Sequence, residues 1–275
     1  MKYLKGLIIV MTFSFLNLSA QAEITSAKTM KEVVSVLKSY KPEELLVTVD
    51  IDMTLIQPDH PAVYYSALRK YIDTYKEIMG KLLPEQKDLI STLLTQTFPQ
   101  RLVEKETPNL LKKLQENGVK VIALTSSLAG QVDGFREDMV VRRQEQLEKM
   151  GFDFSQSFSS LLEDKTFQNF KEYAGTTPRF YKGVLSTNGE GDASKGDVLI
   201  AFLEAINSHP KVVVLIDDKK KHLEVMEKKL HAYDPSLKFI GIEYEGAYSY
   251  APEKVSKESF QQFWKELAHK VQPLK

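Results

Sequence analysis

The chain has 275 residues, with 37 Lys+Arg balanced by 37 Asp+Glu and no cysteine. The balance offers no global basic field for nucleic acid. The missing thiol removes disulfides, Cys-ligated zinc, iron–sulfur clusters and cysteine catalysis. With 43% hydrophobic and 27% charged residues, the composition excludes a collagenous or mostly disordered chain and suits a globular one of one large or two small domains.

Residues 1–22 read as a secretory signal peptide. Lys2 and Lys5 precede a nearly apolar run, Gly6 to Leu16, and the segment closes on Ala20-Gln21-Ala22. The run is well short of the ~20 residues that span a bilayer. Cleavage after Ala22 is expected, leaving 35 basic against 37 acidic residues. No later segment has the length and apolarity of a span, so the mature protein is expected to be periplasmic or secreted.

Residues 23–275 are expected to form one α/β domain. Leu45–Val49 is the first strand candidate. About residues 57–106 follow as a helical insert without a good strand, with helices over Pro61–Met79 and Pro84–Leu94 and prolines in their first turns. A helix over Asn109–Asn117 stops at Gly118. Then come a strand at Val119–Leu124 and a helix over Gly134–Met150. Phe152–Pro178 is irregular, a small strand pair or a flap. Phe180–Leu185 is a weaker strand and Lys195–Asn207 a helix. Lys211–Ile216 and Leu237–Ile242 are the last strands. Unalternated β-branched runs suit strands covered on both faces, and the alternation of runs and helices predicts a doubly wound parallel sheet.

In such sheets ligands bind beyond the carboxyl ends of the strands. The first strand is followed by Asp50-Ile51-Asp52-Met53-Thr54, the second by Thr125-Ser126-Ser127 and the fourth by Asp217-Asp218. Ser194-Lys195-Gly196 lies at a helix start. Asp50 and Asp52 are two apart and point the same way while the chain stays extended. Carboxylates clustered without His or Cys favour Mg2+. A metal, a lysine and hydroxyl donors are what a transferring phosphoryl group requires.

Val47-Thr48-Val49-Asp50-Ile51-Asp52-Met53-Thr54 resembles the first motif of the haloacid dehalogenase superfamily, a strand followed by D-x-D-x-T. Thr125, Lys195 and Asp217-Asp218 resemble its second, third and fourth motifs, in order, over about residues 43–243. The exported chain, Gly151–Ser155 and Phe239–Gly246 resemble a functionally uncharacterised bacterial branch. The resemblance implies a Rossmann-like fold with a cap. It implies Asp50 as nucleophile and Mg2+ ligand. Asp52 would be general acid and then base, with its backbone carbonyl on the metal. Thr125, or Ser126 in its place, and Lys195 would hold phosphoryl oxygens. Asp217 would ligate Mg2+, with Asp218 a ligand or neighbour. Thr54 would brace the loop, and Met53 stands where small or polar residues are common.

Other features read as structural. Lys219–His222 is a solvated helix start, His60 a surface-loop histidine, and Arg136, Arg142 and Arg143 exposed helix residues. Tyr64, Tyr65, Tyr71 and Tyr75 are packing, or a stacking surface for an aryl or nucleoside group. His209, His222 and His231 share no metal-ligand spacing. The expected activity is Mg2+-dependent hydrolysis of small phosphomonoesters through an aspartyl-phosphate. The alternatives are a catalytically inactive binding protein and a phosphotransferase.

Overall fold

The computed structural model describes residues 23–131, 137–158, 162–189, 194–249 and 255–271. The predicted signal peptide, Gly134 and Arg136 lie outside them. In chain order the first elements are β1 (Glu23–Ala27), α1 (Met30–Leu37), β2 (Leu45–Val49), β3 (Ile56–Pro58), α2 (Tyr65–Lys70), α3 (Ile72–Met79) and α4 (Pro84–Thr97). Next come β4 (Gln100–Leu102), α5 (Thr107–Glu116), β5 (Lys120–Thr125), α6 (Met139–Lys149), β6 (Asp164–Thr166), β7 (Arg179–Tyr181) and β8 (Val184–Ser186). The last are α7 (Lys195–Ala205), β9 (Val212–Asp217), α8 (Lys220–Tyr233), β10 (Lys238–Tyr244) and α9 (Lys257–Val271).

Eight strands form one sheet in the order β1-β10-β9-β2-β5-β8-β7-β6. The first six run parallel, and β7 and β6 close the edge antiparallel. The doubly wound α/β expectation holds. The chain leaves β2 for β5 on one side and later returns to β9 on the other, so β2 and β9 flank a topological switch point. Every residue of β2 and of β9 is buried. Leu45, Val47 and Val49 face α1, α5 and α6, while Leu46 faces the layer of α7 and α8. Burial on both faces explains the unbroken apolar runs.

The insert differs from its sequence reading. The segment predicted as Pro61–Met79 starts at Tyr65, because the His60 imidazole accepts the Ala62 amide and Val63 closes a turn on His60. It breaks at Tyr71, whose hydroxyl is tied to the Val255 carbonyl and whose ring packs on Phe260. The insert also has strands: β3 and β4 pair antiparallel, each three residues long and too short for a periodic signal. The predicted strand Phe180–Leu185 is the β7–β8 hairpin. Lys182 and Gly183 both have positive φ at its turn, and a Cβ on Gly183 would lie 2.2 Å from the Phe154 carbonyl oxygen. Part of the irregular stretch before it supplies β6. The helix predicted from Gly134 begins, among described residues, at Met139, where Asp138 accepts the amides of Val140 and Val141.

A third apolar cluster lies above the sheet. Ile78, Met79, Ile90 and Leu94 of the insert pack on Phe260, Trp264 and Leu267 of α9. The C-terminal helix therefore seats the insert as a lid. Among the described residues no helix is long and apolar enough to cross a membrane.

Candidate active site

Asp50 follows β2, and its amide donates to the Ile216 carbonyl at 2.8 Å, which sets it beside Asp217 at the end of β9. Beyond it the backbone turns sharply: Leu55 and Ile56 both donate to the Ile51 carbonyl, and Met53 sits at φ 65°. A bulky side chain in that region marks a locally imposed conformation. Met53 thus takes the left-handed position of the turn. Thr54 is fully buried with no hydrogen bond to its hydroxyl, so it fills the turn and does not brace it.

Ser194 caps α7 in a box with Asp197, which places Lys195 in the first turn. Gly196 lets α7 approach α8, since a Cβ there would lie 2.7 Å from Lys229 Cβ. The Lys195 ammonium donates to Asp50 Oδ1 at 2.5 Å and Asp217 Oδ2 at 2.6 Å. His222 Nδ1 lies 3.0 Å from Asp217 Oδ2, and the Lys219 amide donates to Asp217 Oδ1. Asp218 accepts from the Tyr65 hydroxyl of the lid.

Asp50, Asp217 and Asp218 each bring one oxygen within 4.8 Å of the other two. Three buried carboxylates against Lys195 leave an excess of negative charge. Burial raises Asp50 to about 6, with Asp217 and Asp52 adding to it and Lys195 opposing. Burial, then Asp50 and Asp217, raises Asp218 to about 8. Burial also works on Asp217, but Lys195 and His222 hold it well below the usual carboxylate range. A set of hard oxygens that resists being fully ionised fits a divalent cation such as Mg2+.

Asp52 stands apart from this cluster. Its Oδ1 lies 2.5 Å from Arg143 Nη2, an ion pair whose angle does not make a hydrogen bond. Its Oδ2 is 3.5 Å from the Ser127 hydroxyl. Thr125 is buried and shares its hydroxyl with Ser127 at 2.9 Å. Ser126 lines the cavity beside it. The cavity has a volume of about 190 Å³ and is floored by Asp50, Asp52, Thr125 and Asp218. Its roof is α4, through Asp88, Ser91, Thr92 and Thr95.

The sheet edge therefore gathers Asp50, Asp52, Thr125, Ser126, Lys195, Asp217 and Asp218, the full set named from sequence. Three further residues belong to the site. Arg143 is 2% exposed, not a surface residue as predicted. His222 leaves the solvated helix start to reach Asp217. Tyr65 alone of the four tyrosines touches the acidic cluster, and its ring stacks on Tyr248 at 4.4 Å. Tyr64 bonds Asp59, and Tyr75 packs edge-on against Trp264. His60 stacks on Phe263 at the lid seam, half-buried and away from the cavity.

A family profile described as Protein of unknown function (DUF2608) matches residues 26–273. The chain belongs to this family. It is similar to an uncharacterised protein of Rickettsia bellii, 26% identical over 218 residues that cover 76% of this chain and 70% of the relative. One from Rickettsia conorii is 25% identical over 238 residues, covering 84% and 79%. One from Rickettsia typhi is 25% identical over 233 residues, covering 82% and 77%. The DUF2608 match takes in all ten residues placed in the site above, from Asp50 to His222, together with the lid and the α9 helix that seats it.

Proposed function

We propose that this DUF2608 protein is an exported, Mg2+-dependent phosphatase of the haloacid dehalogenase type, acting on small phosphomonoesters. The observation that carries this is the division of two neighbouring aspartates. Asp50 is buried against Lys195 and the Asp217–Asp218 cluster, while Asp52 faces the same cavity from a separate, arginine-paired position.

That division suits two chemical roles. The Asp50 carboxylate attacks phosphorus, the bond to the leaving oxygen breaks, and Asp52 gives that oxygen its proton. Asp52 then takes a proton from water, whose oxygen attacks the aspartyl-phosphate and frees Asp50 and inorganic phosphate. Lys195, which has a third N–H beyond the two bonded to carboxylates, would give that N–H to a phosphoryl oxygen. Ser126 and the Thr125–Ser127 pair present hydroxyls to the same space. Mg2+, held by Asp50, Asp217 and Asp218, would neutralise charge on the transferring group. The α4 roof limits the cavity to small esters and excludes water from the reacting atoms.

A phosphatase screen of the mature protein over sugar phosphates, nucleotides and aryl phosphates, with and without Mg2+, tests this. Phosphate release should require Mg2+ and vanish in Asp50→Asn. A folded wild-type protein that releases none across the panel would favour the binding-protein alternative.

A further inference from the structure

A second cavity of about 580 Å³ adjoins the reaction cavity and shares Asp88, Ser91 and Lys219 with it. Lys219 directly follows the Asp217–Asp218 pair, and Asp88 and Ser91 belong to the lid helix α4. The two cavities therefore meet along α4 and Lys219. Tyr75 and Met79 of α3 give this second cavity, a vestibule, an apolar side.

Its charge is the opposite of the reaction cavity's. Lys76, Lys87 and Lys219 line it, against the single carboxylate of Asp88. Asp88 already accepts the Tyr173 hydroxyl at 2.7 Å. Pro84, Lys87, Asp88 and Ser91 are spaced i, i+3, i+4 and i+7 on the 14-residue helix α4, so one flank of that helix lines the vestibule. The chain as a whole is near neutral, so this concentration of cations is local.

Resting on the phosphatase reading, we propose that the vestibule selects phosphomonoesters whose leaving group carries a second anionic group, a carboxylate or another phosphate. Lys76, Lys87 and Lys219 hold that second anion while the scissile phosphate lies at Asp50. The carbon frame between the anions rests on Tyr75 and Met79. A neutral sugar or alkyl leaving group makes only the apolar contacts.

The test compares 3-phosphoglycerate with glycerol 3-phosphate, which share a three-carbon frame and differ in the carboxylate. A second pair is fructose 1,6-bisphosphate and fructose 6-phosphate. The doubly anionic ester of each pair should show kcat/KM higher by on the order of 10-fold at low salt, an advantage that shrinks as salt rises. The Lys76→Ala/Lys87→Ala double variant changes two exposed residues and should fold normally. It should raise KM for the doubly anionic esters and leave kcat, and the neutral-group esters, unchanged. Equal kcat/KM within both pairs, or a loss shared equally by both members, overturns the proposal. Failure to hydrolyse any of the four esters counts against the phosphatase reading instead. Calorimetric titration of the same esters then decides the vestibule: lysine-dependent preference for the second anion supports it, and equal affinities overturn it.

Discussion

Arg143 Nη2 lies 2.5 Å from Asp52 Oδ1, pairing a buried arginine of α6 with the aspartate assigned as proton donor. The contact continues outward. Arg143 Nη1 donates to Gln146 Oε1 at 3.1 Å, and Gln146 Nε2 donates to the Thr95 carbonyl at 2.7 Å. Thr95 is on the lid and lines the cavity. One polar chain thus joins the proposed acid–base group, Asp52, to the roof above it. Arg143 is not among the residues lining the cavity, so under the phosphatase reading it would be a positioning residue that acts through Asp52.

Removing Arg143 should cost stability as well as rate. Breaking a buried ion pair costs roughly 3–5 kcal/mol, and Asp52 is 28% exposed, so about 2–3 kcal/mol is expected for Arg143→Ala. Arg143→Lys keeps the charge but loses the fork that also reaches Gln146. It should stay folded and lower kcat for alkyl phosphates about 10-fold more than for aryl phosphates, whose leaving groups need less protonation. Steady-state kinetics of both ester classes on the lysine variant check this. An equal loss on both would show that Arg143 supports the fold and not Asp52.

Metal binding and pH are linked through the acidic cluster. Asp50 and Asp218 have raised values, so their neutral forms favour the folded chain. That contribution is full below the ordinary aspartate value of 3.8 and is lost as pH rises through about 6 for Asp50 and about 8 for Asp218. Asp217 is lowered, so its contribution is present above 3.8 and lost only in stronger acid. The chelated protein should therefore melt at a lower temperature near pH 8 than near pH 5, and added Mg2+ should raise the melting temperature more near pH 8. Asp218→Asn should flatten the dependence. Thermal melts in chelator and in Mg2+ give the comparison, and a Mg2+ shift identical at both pH values would remove the cluster as the metal site.

The acidic half of this site was legible because it is local in sequence. Asp50, Thr125 and Asp217 each end an apolar run, and Lys195 follows a capping serine, so strand ends and a helix start locate them without any long-range contact. Arg143 was missed because α6 looks polar, with two arginines and two glutamates among its 11 residues. The signal was present all the same: Met139, Arg143 and Leu147 are spaced by four, and the outer two are buried. His222 was masked by the three lysines before it. The β3–β4 pair depends on tertiary packing of Ile56 and Leu102 in the core under the sheet, and the break at Tyr71 on contacts with Val255 and Phe260, more than 150 residues away, which no local pattern encodes.

The seating of the lid on α9 gives a separate test. Trp264 is 2% exposed, donates its indole N–H to the Ala62 carbonyl at 3.1 Å and packs against Tyr75 and Phe263. Trp264→Ala should cost about 3–5 kcal/mol. The loss falls on the insert before the sheet, because the third apolar cluster is separate from the two that cover the strands. Hydrogen exchange should quicken over residues 62–97 while β2 and β9 stay protected. Uniform acceleration across the sheet would mean that lid and sheet unfold as one unit.

Asp52→Asn separates the two halves of the proposed reaction. The variant keeps Asp50, Lys195 and the acidic cluster, so attack on phosphorus remains available. It lacks the proton for the leaving oxygen, and afterwards the base for water. General acid–base assistance is typically worth ~10²–10⁴-fold, which sets the expected loss for alkyl esters. Aryl phosphates should lose less in the first step, because their leaving oxygens depart with less protonation. The second step is the same for every ester, since all give one phospho-enzyme. With an aryl substrate, phosphorylation should therefore outrun hydrolysis and phosphate should accumulate on Asp50. The asparagine also leaves Arg143 buried beside a neutral amide, so the fold must be verified by its melting transition before rates are compared. Rapid-quench measurement of leaving-group burst and protein-bound phosphate distinguishes the steps. A burst near one per site with slow turnover supports Asp52 as the base for hydrolysis. Wild-type turnover in the folded variant would falsify the assignment of Asp52 as the acid–base group, while leaving Asp50 to be judged by its own variant.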